Sequence, residues 1–290
     1  MGRLIFIFSL LMLSTHGITA QRVIHPSMSG MFAERFNDLF ELLELALEKT
    51  QDDYGDYQLI PMSFTMTESR LLKEVKSGDN LDIIWSSTSP QKEEELIPIR
   101  IPLRKGILGY RISLIHKDNQ FLFDPLKSLE DLQAFRIGQG IGWGDINIYK
   151  ENNIPVGNAP YESLFSLIGP RRFHLFPRGI TEIYNELALY GTQNPNLTIE
   201  KNLVLHYPWP YYFFTSKQNR NLAMRIEAGL ERMIKDGSFD RIFDKYNAEA
   251  IQKSELDKRH LIRLNNPFLP ENTPLDRQEL WFVPSEASIK

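Results

Sequence analysis

Cysteine is absent from the 290-residue chain. That one absence removes disulfides, C-x-x-C redox pairs, thiolate-ligated zinc, a thiol nucleophile and the lipid-bearing cysteine of a bacterial lipoprotein. An excess of positive charge is missing too: 33 Lys and Arg stand against 37 Asp and Glu, a net charge of −4, which argues against nucleic acid as a partner. His25, His116, His174, His206 and His260 are scattered, without H-E-x-x-H or any paired spacing, so no metal site is expected. A G-x-S-x-G nucleophile elbow is likewise missing, and no catalytic residue, cofactor or enzymatic activity is assigned. What is present, 42% hydrophobic and 24% charged residues, is the profile of a folded globular protein. Its length suits two lobes, each able to bury a core without covalent staples.

The first twenty residues carry Arg3, then apolar Leu4–Phe8 and Leu10–Leu13 around Ser9, then small and polar residues ending in Thr19-Ala20. This is the layout of a secretory signal peptide cleaved after Ala20, with an apolar run too short for a membrane anchor. Nothing later in the chain approaches membrane-spanning length, so a soluble, exported chain beginning at Gln21 is expected. Export without cysteine suits a bacterial periplasm.

Helical and strand periods alternate along the chain. Phe36, Leu39, Phe40, Leu43 and Leu47 recur at helical spacing and predict an amphipathic helix over 34–49. Tyr57–Met62 reads as a strand, 68–77 as a helix ended by Gly78, and Leu81–Ser86 as an apolar strand, an order that implies a parallel sheet. Ile97–Leu103 and Leu108–His116 read as extended. A second run predicts a strand at Phe135–Gly138, a glycine-rich turn, a helix near 145–152, a strand at Ile154–Val156, a helix over 161–168, a strand at Phe173–Phe176 and a helix over Ile180–Tyr190. Leu203–His206 and Tyr211–Ser216 are extended again. Leu222, Ile226, Leu230, Met233 and Ile234 then share one face of a helix stopped by Gly237, and 238–246 is a last short helix. The remainder, 250–290, holds Pro267, Pro270, Pro274 and Pro284 and little periodicity, so it reads as a tail wrapped over a lobe.

Leu230–Tyr246 (LERMIKDGSFDRIFDKY) resembles the closing element of the family 3 extracellular solute-binding proteins. Gly78-Asp79 before Leu81-Asp82-Ile83-Ile84, the strand-turn Trp85–Ser89, and Leu126–Gly140 (LKSLEDLQAFRIGQG) are similar to that family in the same order, over most of 22–246. Ile97–Arg111 and Phe176–Glu182 look like an exported subgroup of it. The resemblance implies an α/β, two-lobed type II periplasmic binding fold, each lobe a mainly parallel sheet flanked by helices, with the ligand cleft between them. Lobe 1 would comprise 21–113 and 206–249, lobe 2 114–205, and 250–290 would pack on lobe 1. Chain crossings near 112–116 and 204–210 would form the hinge. The implied function is capture of a small-molecule ligand by a monomer, for delivery to an ABC-transporter permease or for reporting to a membrane sensor or envelope pathway.

Several residues are candidates for that cleft. Trp85-Ser86-Ser87-Thr88 follows a strand, so Trp85, Ser87 and Thr88 offer an indole and hydroxyls. In amino-acid-binding relatives an Arg a few residues on grips the ligand carboxylate; here Lys92 stands in its place and lacks the two-pronged donor geometry. Those relatives also place an Asp just beyond the strand corresponding to Phe173–Phe176 to hold the ammonium group. Here Gly179 takes that place, with Glu182 one helical turn on. Both departures point away from an ordinary α-amino acid and toward an anionic or sugar-like solute. Arg178 would then serve as a permanent cation beside a helix N-terminus, unless it pairs with Glu182 at i+4. Gly138–Asp145 (GQGIGWGD) follows a strand and opens a helix, so Gly140 and its neighbours offer N–H groups to an anion, but it lacks both nucleotide-binding patterns. Trp143 would stack opposite Trp85, and Asp145 is either a site acid or an N-cap. Arg70, Arg111 on the first crossing and Tyr207 at the second complete the set.

Overall fold

The computed structural model describes residues 20–27, 33–169 and 172–284; the expected signal sequence up to Thr19 and the end of the tail, 285–290, lie outside the described residues. Gln21–His25 forms β1 and Asn37–Glu48 forms α1, whose Leu39, Leu42, Leu43, Ala46 and Leu47 are buried together at the predicted spacing. The next main elements are β2 (Tyr57–Pro61), α2 (Glu68–Ser77), β3 (Ile83–Ser87), α3 (Pro90–Glu95) and β4 (Leu96–Ile99). Gly78 stops α2 in the left-handed conformation at φ 74°, and the Ser89 hydroxyl caps α3 by accepting from the Lys92 N–H. The middle of the chain supplies β5 (Tyr110–His116), β6 (Ile137–Gly140), α4 (Ile146–Glu151), β7 (Val156–Ala159), β8 (Phe176–Gly179), α5 (Ile183–Tyr190), β9 (Leu197–Ile199) and β10 (Leu203–His206). Last come β11 (Tyr211–Ser216), α6 (Arg220–Asp236), α7 (Ser238–Ser254) and β12 (His260–Arg263).

These strands make two bodies. In the first, β1 is parallel to β2, the Asp82 N–H donates to the Ile24 carbonyl just before β3, and β11 runs antiparallel between β3 and β4. In the second, β6 is parallel to β7 and its Gly138 N–H donates to Leu175 O at the approach to β8, while β5 runs antiparallel to β8, β9 and β10. The sheets are therefore mixed rather than mainly parallel. In the first body β11 enters after the chain has crossed back from the other body, and it runs antiparallel to both neighbours. The whole of β5, with Ile107 before it, belongs to the second body, so the first crossing falls at 104–109 rather than at 112–116 and the second body begins before 114. The cores segregate accordingly: Leu39, Leu43, Phe213, Leu230 and Met233 share one cluster, Ile112, Phe165, Phe176 and Val204 another. In the first, α6 crosses α1 so closely that a β-carbon on Gly229 would stand 2.1 Å from the Ala46 carbonyl oxygen, and only glycine permits that approach.

Three strands of the second body sit two or three residues later than their apolar runs predict: β6, β7 and β8 replace Phe135–Gly138, Ile154–Val156 and Phe173–Phe176. The Phe173 ring lies over Gly138 and Gly157, where β-carbons would come within 2.8 and 2.5 Å of it. Those glycines are strand residues making room for an aromatic, so the first half of the expected glycine-rich turn is sheet. The same shift places Arg178 inside β8, opposite Ile112, rather than beyond a strand end. Helix 161–168 is a short helix, Tyr161–Leu164, continued by a 3-10 turn, and the helix expected from Ile180 begins at Ile183. In contrast, α7 runs to Ser254 rather than 246.

The tail also differs from expectation. Rather than packing on the first body alone, it places Leu256, Ile262 and Leu264 in cores of the second, with β12 parallel to β10, and returns Leu280 to the core of the first. Beside β12, His206 stacks near the Tyr110 ring at 4.2 Å. Burial, with the Arg263 charge on β12 added, pushes its imidazole down from 6.5 to about 4. Between those values the unfolded chain binds a proton that the folded chain refuses, so stability present above pH 6.5 is lost as the pH falls toward 4. The expected loss is up to about 3 kcal/mol, read as a falling urea midpoint, and His206→Gln should flatten that slope.

Candidate functional site

Six of the residues expected at the cleft come together on the second body, where of the six only Glu182 lines the cavity that faces the first body, and Gly140 serves one of them. A β-carbon on Gly140 would meet the Trp143 indole at 2.3 Å, so this glycine lets the ring fold back over the end of β6 instead of opening N–H groups to an anion. Trp143 stacks on Phe176 with ring centroids 6.2 Å apart and carries the Arg178 guanidinium 4.6 Å above its own centroid. Asp145 precedes α4 without capping it; its carboxylate accepts from the Tyr207 hydroxyl at 3.0 Å and faces Arg111 at 3.7 Å. Tyr207 is fully buried, with the Tyr149 hydroxyl 3.4 Å from its own.

The other four lie elsewhere. Arg70 is an exposed side chain on α2, 4.0 Å from Glu74. Trp85 belongs to the core of the first body, between Phe36 and Phe213. The Thr88 hydroxyl donates to Glu93 at 2.7 Å, and the Ser87 carbonyl accepts from Lys92 at 2.8 Å. Lys92 also donates to Ser86 Oγ and to Glu68, which ties its charge up within the first body.

The centre of the arrangement is Arg178, only 4% exposed. Its Nε and Nη2 donate to the two Glu186 oxygens at 2.7 and 2.6 Å, and its Nη2 lies 3.1 Å from Glu182 Oε2. The i+4 partner was legible in the sequence; the bidentate one, eight residues on, was not. Burial alone would raise the Glu186 carboxyl, but Arg178, helped by the Tyr161 hydroxyl that donates to it at 2.8 Å, more than offsets this and holds it below its ordinary value. Arg111 adds a hydrogen bond to Glu182 at 3.4 Å. From the opposite body Arg35 also pairs with Glu182. Arg35 is held by Arg104, which donates to its carbonyl at 2.6 Å while gripping Asp38 with two donors at 2.5 and 2.7 Å. Burial and the neighbouring Arg178 and Arg104 charges push the Arg35 guanidinium below its usual value. A cavity of about 640 Å³ opens beside this group, lined by Arg35, Asp38, Arg104, Tyr161, Glu182 and Glu186, among others. Arg35, Asp38, Arg104, Tyr161 and Glu186 were not among the expected residues, since each looks like an ordinary surface or helix residue until its distant partner is known.

No protein-family model and no curated protein matches the chain. Among solved structures it superposes on a Salmonella typhimurium periplasmic binding protein of high arginine specificity, with a TM-score of 0.53 at 14% identity over 78% of this chain and 99% of that one. A Streptococcus mutans structure from a study of glutathione import matches with a TM-score of 0.53 at 11% identity, over 79% of this chain and 95% of that one. An ancestral amino-acid-binding protein, precursor of cyclohexadienyl dehydratase, matches with a TM-score of 0.50 at 16% identity, over 78% and 94%. The chain has the type II periplasmic binding fold.

In the type II fold the two bodies are lobes, and the cavity lies in the cleft between them. Within it, Glu182 lies against Gly179, the position at which the resemblance led one to expect an acid. Glu182 Oε2 accepts from the Gly179 N–H at 3.1 Å and stands 3.1 Å from where a β-carbon on Gly179 would be, so its carboxylate fills the space of an acid at that position. Arg178 is not the free cation of the anion reading, because two carboxylates already neutralise it. Removing one member of a buried pair leaves the other charge unpaired, at about 3–5 kcal/mol. Arg178→Ala should therefore lower the unfolding free energy of the ligand-free protein by that amount in urea titrations, whereas Arg178→Met combined with Glu186→Leu should recover most of it.

Proposed function

We propose that the protein is an exported, non-enzymatic binding protein that holds an amino-acid-like zwitterion between its lobes and passes it to an ABC importer. The supporting observation is the Glu182 carboxylate, standing over Gly179 on one lobe and facing Arg35 on the other. A ligand ammonium group takes the place of Arg35 at Glu182, and the ligand carboxylate takes the guanidinium so released, exchanging one charge-assisted contact for two. An anion without an amine would bind Arg35 but set its charge against Glu182, and like charges brought together in a cleft cost several kcal/mol. A sugar would satisfy neither. This reading replaces the anionic or sugar-like solute, which depended on an unpaired Arg178. The amino-acid-binding and arginine-specific descriptions of the structural neighbours lend it support. Hinge closure at the crossings at 104–109 and 207–210 would signal occupancy to the importer, and the first twenty residues carry the case for export.

Calorimetry should test free amino acids against compounds lacking one charge: an N-acetylated amino acid, a simple amine and a monosaccharide. Binding is expected only for zwitterions, and Glu182→Gln should weaken it at least about thirtyfold, roughly 2 kcal/mol. Equal affinity for the N-acetylated compound would overturn the proposal.

A further inference from the structure

The chain passes between the lobes at 104–109, ahead of β5, and at 207–210, after β10; it passes again along α7 into β12, and the tail beyond β12 makes a fourth passage. Its beginning is fastened to the second lobe. β12 lies along β10 in register from Leu203 with His260 to His206 with Arg263, and Leu264 N–H donates to the His206 carbonyl. Immediately afterwards Asn265 and Asn152 pair reciprocally: the Asn265 N–H donates to Asn152 Oδ1 at 2.9 Å, and Asn152 Nδ2 donates to the Asn265 carbonyl at 2.8 Å. Its far end is fastened to the first lobe. Arg277 grips the Glu231 carboxylate on α6 with two donors at 2.6 and 3.1 Å, and Leu280 is fully buried in the first-lobe core. Trp281 covers Gly106 so closely that a β-carbon there would meet its ring at 2.5 Å, and the Phe282 N–H donates to the Lys105 carbonyl at 2.7 Å.

Between these anchors runs a short segment, 266–276, tied by Asn266 Nδ2 to the Pro208 carbonyl at the second crossing. A chain of fixed length clamped at both ends limits how far the ends can separate. The earlier passages leave a hinge free to swing; a further tether placed outside the two strand crossings sets a stop. We propose that the tail is a strap that sets the opening range of the cleft, holding the ligand-free lobes closer together than the other three passages alone would. This rests on reading the two bodies as lobes that move about the crossings, but it needs no particular ligand.

The absence of cysteine makes the test direct, because Lys73→Cys on the first lobe and Lys150→Cys on the second are then the only thiols and accept a spin-label pair cleanly. A protease site inserted between Glu271 and Asn272, two exposed positions, lets the strap be cut after folding. In the uncut ligand-free protein a narrow distance distribution is expected. After cutting, it should broaden toward longer separations by several ångström, with far-UV circular dichroism unchanged. Arg277→Ala combined with Trp281→Ala should give the same broadening without a cut. An identical distribution before and after cutting, in protein that keeps its circular dichroism, overturns the strap. Because no ligand enters the measurement, that result leaves the zwitterion reading untouched, and a failure to bind amino acids leaves the strap untouched.

Discussion

A guanidinium taken out of water must be paired, and the cleft of this protein is arranged around meeting that demand for Arg178. Burying an unpaired charge costs more than most single contacts return. Glu186 answers it with both oxygens, and Glu182 adds a third contact. Those two carboxylates are thereby fixed in place, and the positions of Arg35, Arg111 and Tyr161 follow from them. The Trp143 ring beneath the guanidinium completes the setting, and Gly140 is required because that ring needs the room.

One consequence is a cleft whose charges are balanced before any solute arrives. Arg35, Arg104, Arg111 and Arg178 are matched by Asp38, Asp145, Glu182 and Glu186, each within ion-pair distance of a partner. A site of this kind does not select by net charge. On the proposed function it selects by whether an incoming molecule can replace an existing contact with one as good, which favours neutral but dipolar molecules over either pure ion.

The sequence told much of this in outline and less in detail. The leucine spacing of α1, the glycine stops at Gly78 and Gly237 and the apolar run into β3 were legible because each is a local matter of period or backbone conformation. The strands of the second lobe were misplaced because their ends are written in glycine, proline and arginine, residues that signal turns, although Gly138 and Gly157 lie in strands under the Phe173 ring. Arg111, Trp143, Asp145, Arg178, Glu182 and Tyr207 could be named from their places beside strands and crossings. Arg104 and Glu186 could not, since their partners, Asp38 66 residues away and Arg178 eight residues back across a strand-to-helix turn, are brought near only by the fold within each lobe, and Arg35 could not because its partner Glu182 lies on the other lobe. Trp85 shows the opposite error: an aromatic at a strand end looked like a binding face and proved to be core.

The first-lobe core contains Val23, from the beginning of the described chain, and Leu280, from its end. A ribosome or an export channel releases residues in order, so the second lobe has all but its last strand in hand while the first still waits for its final leucine. Contacts of such long sequence separation form late, because the entropy of closing the loop is lost before the contact returns anything. The lobe whose synthesis begins first thus still waits for residues from the end of the chain, and until α6 arrives the apolar face of α1 remains open to chaperones and to other unfinished chains.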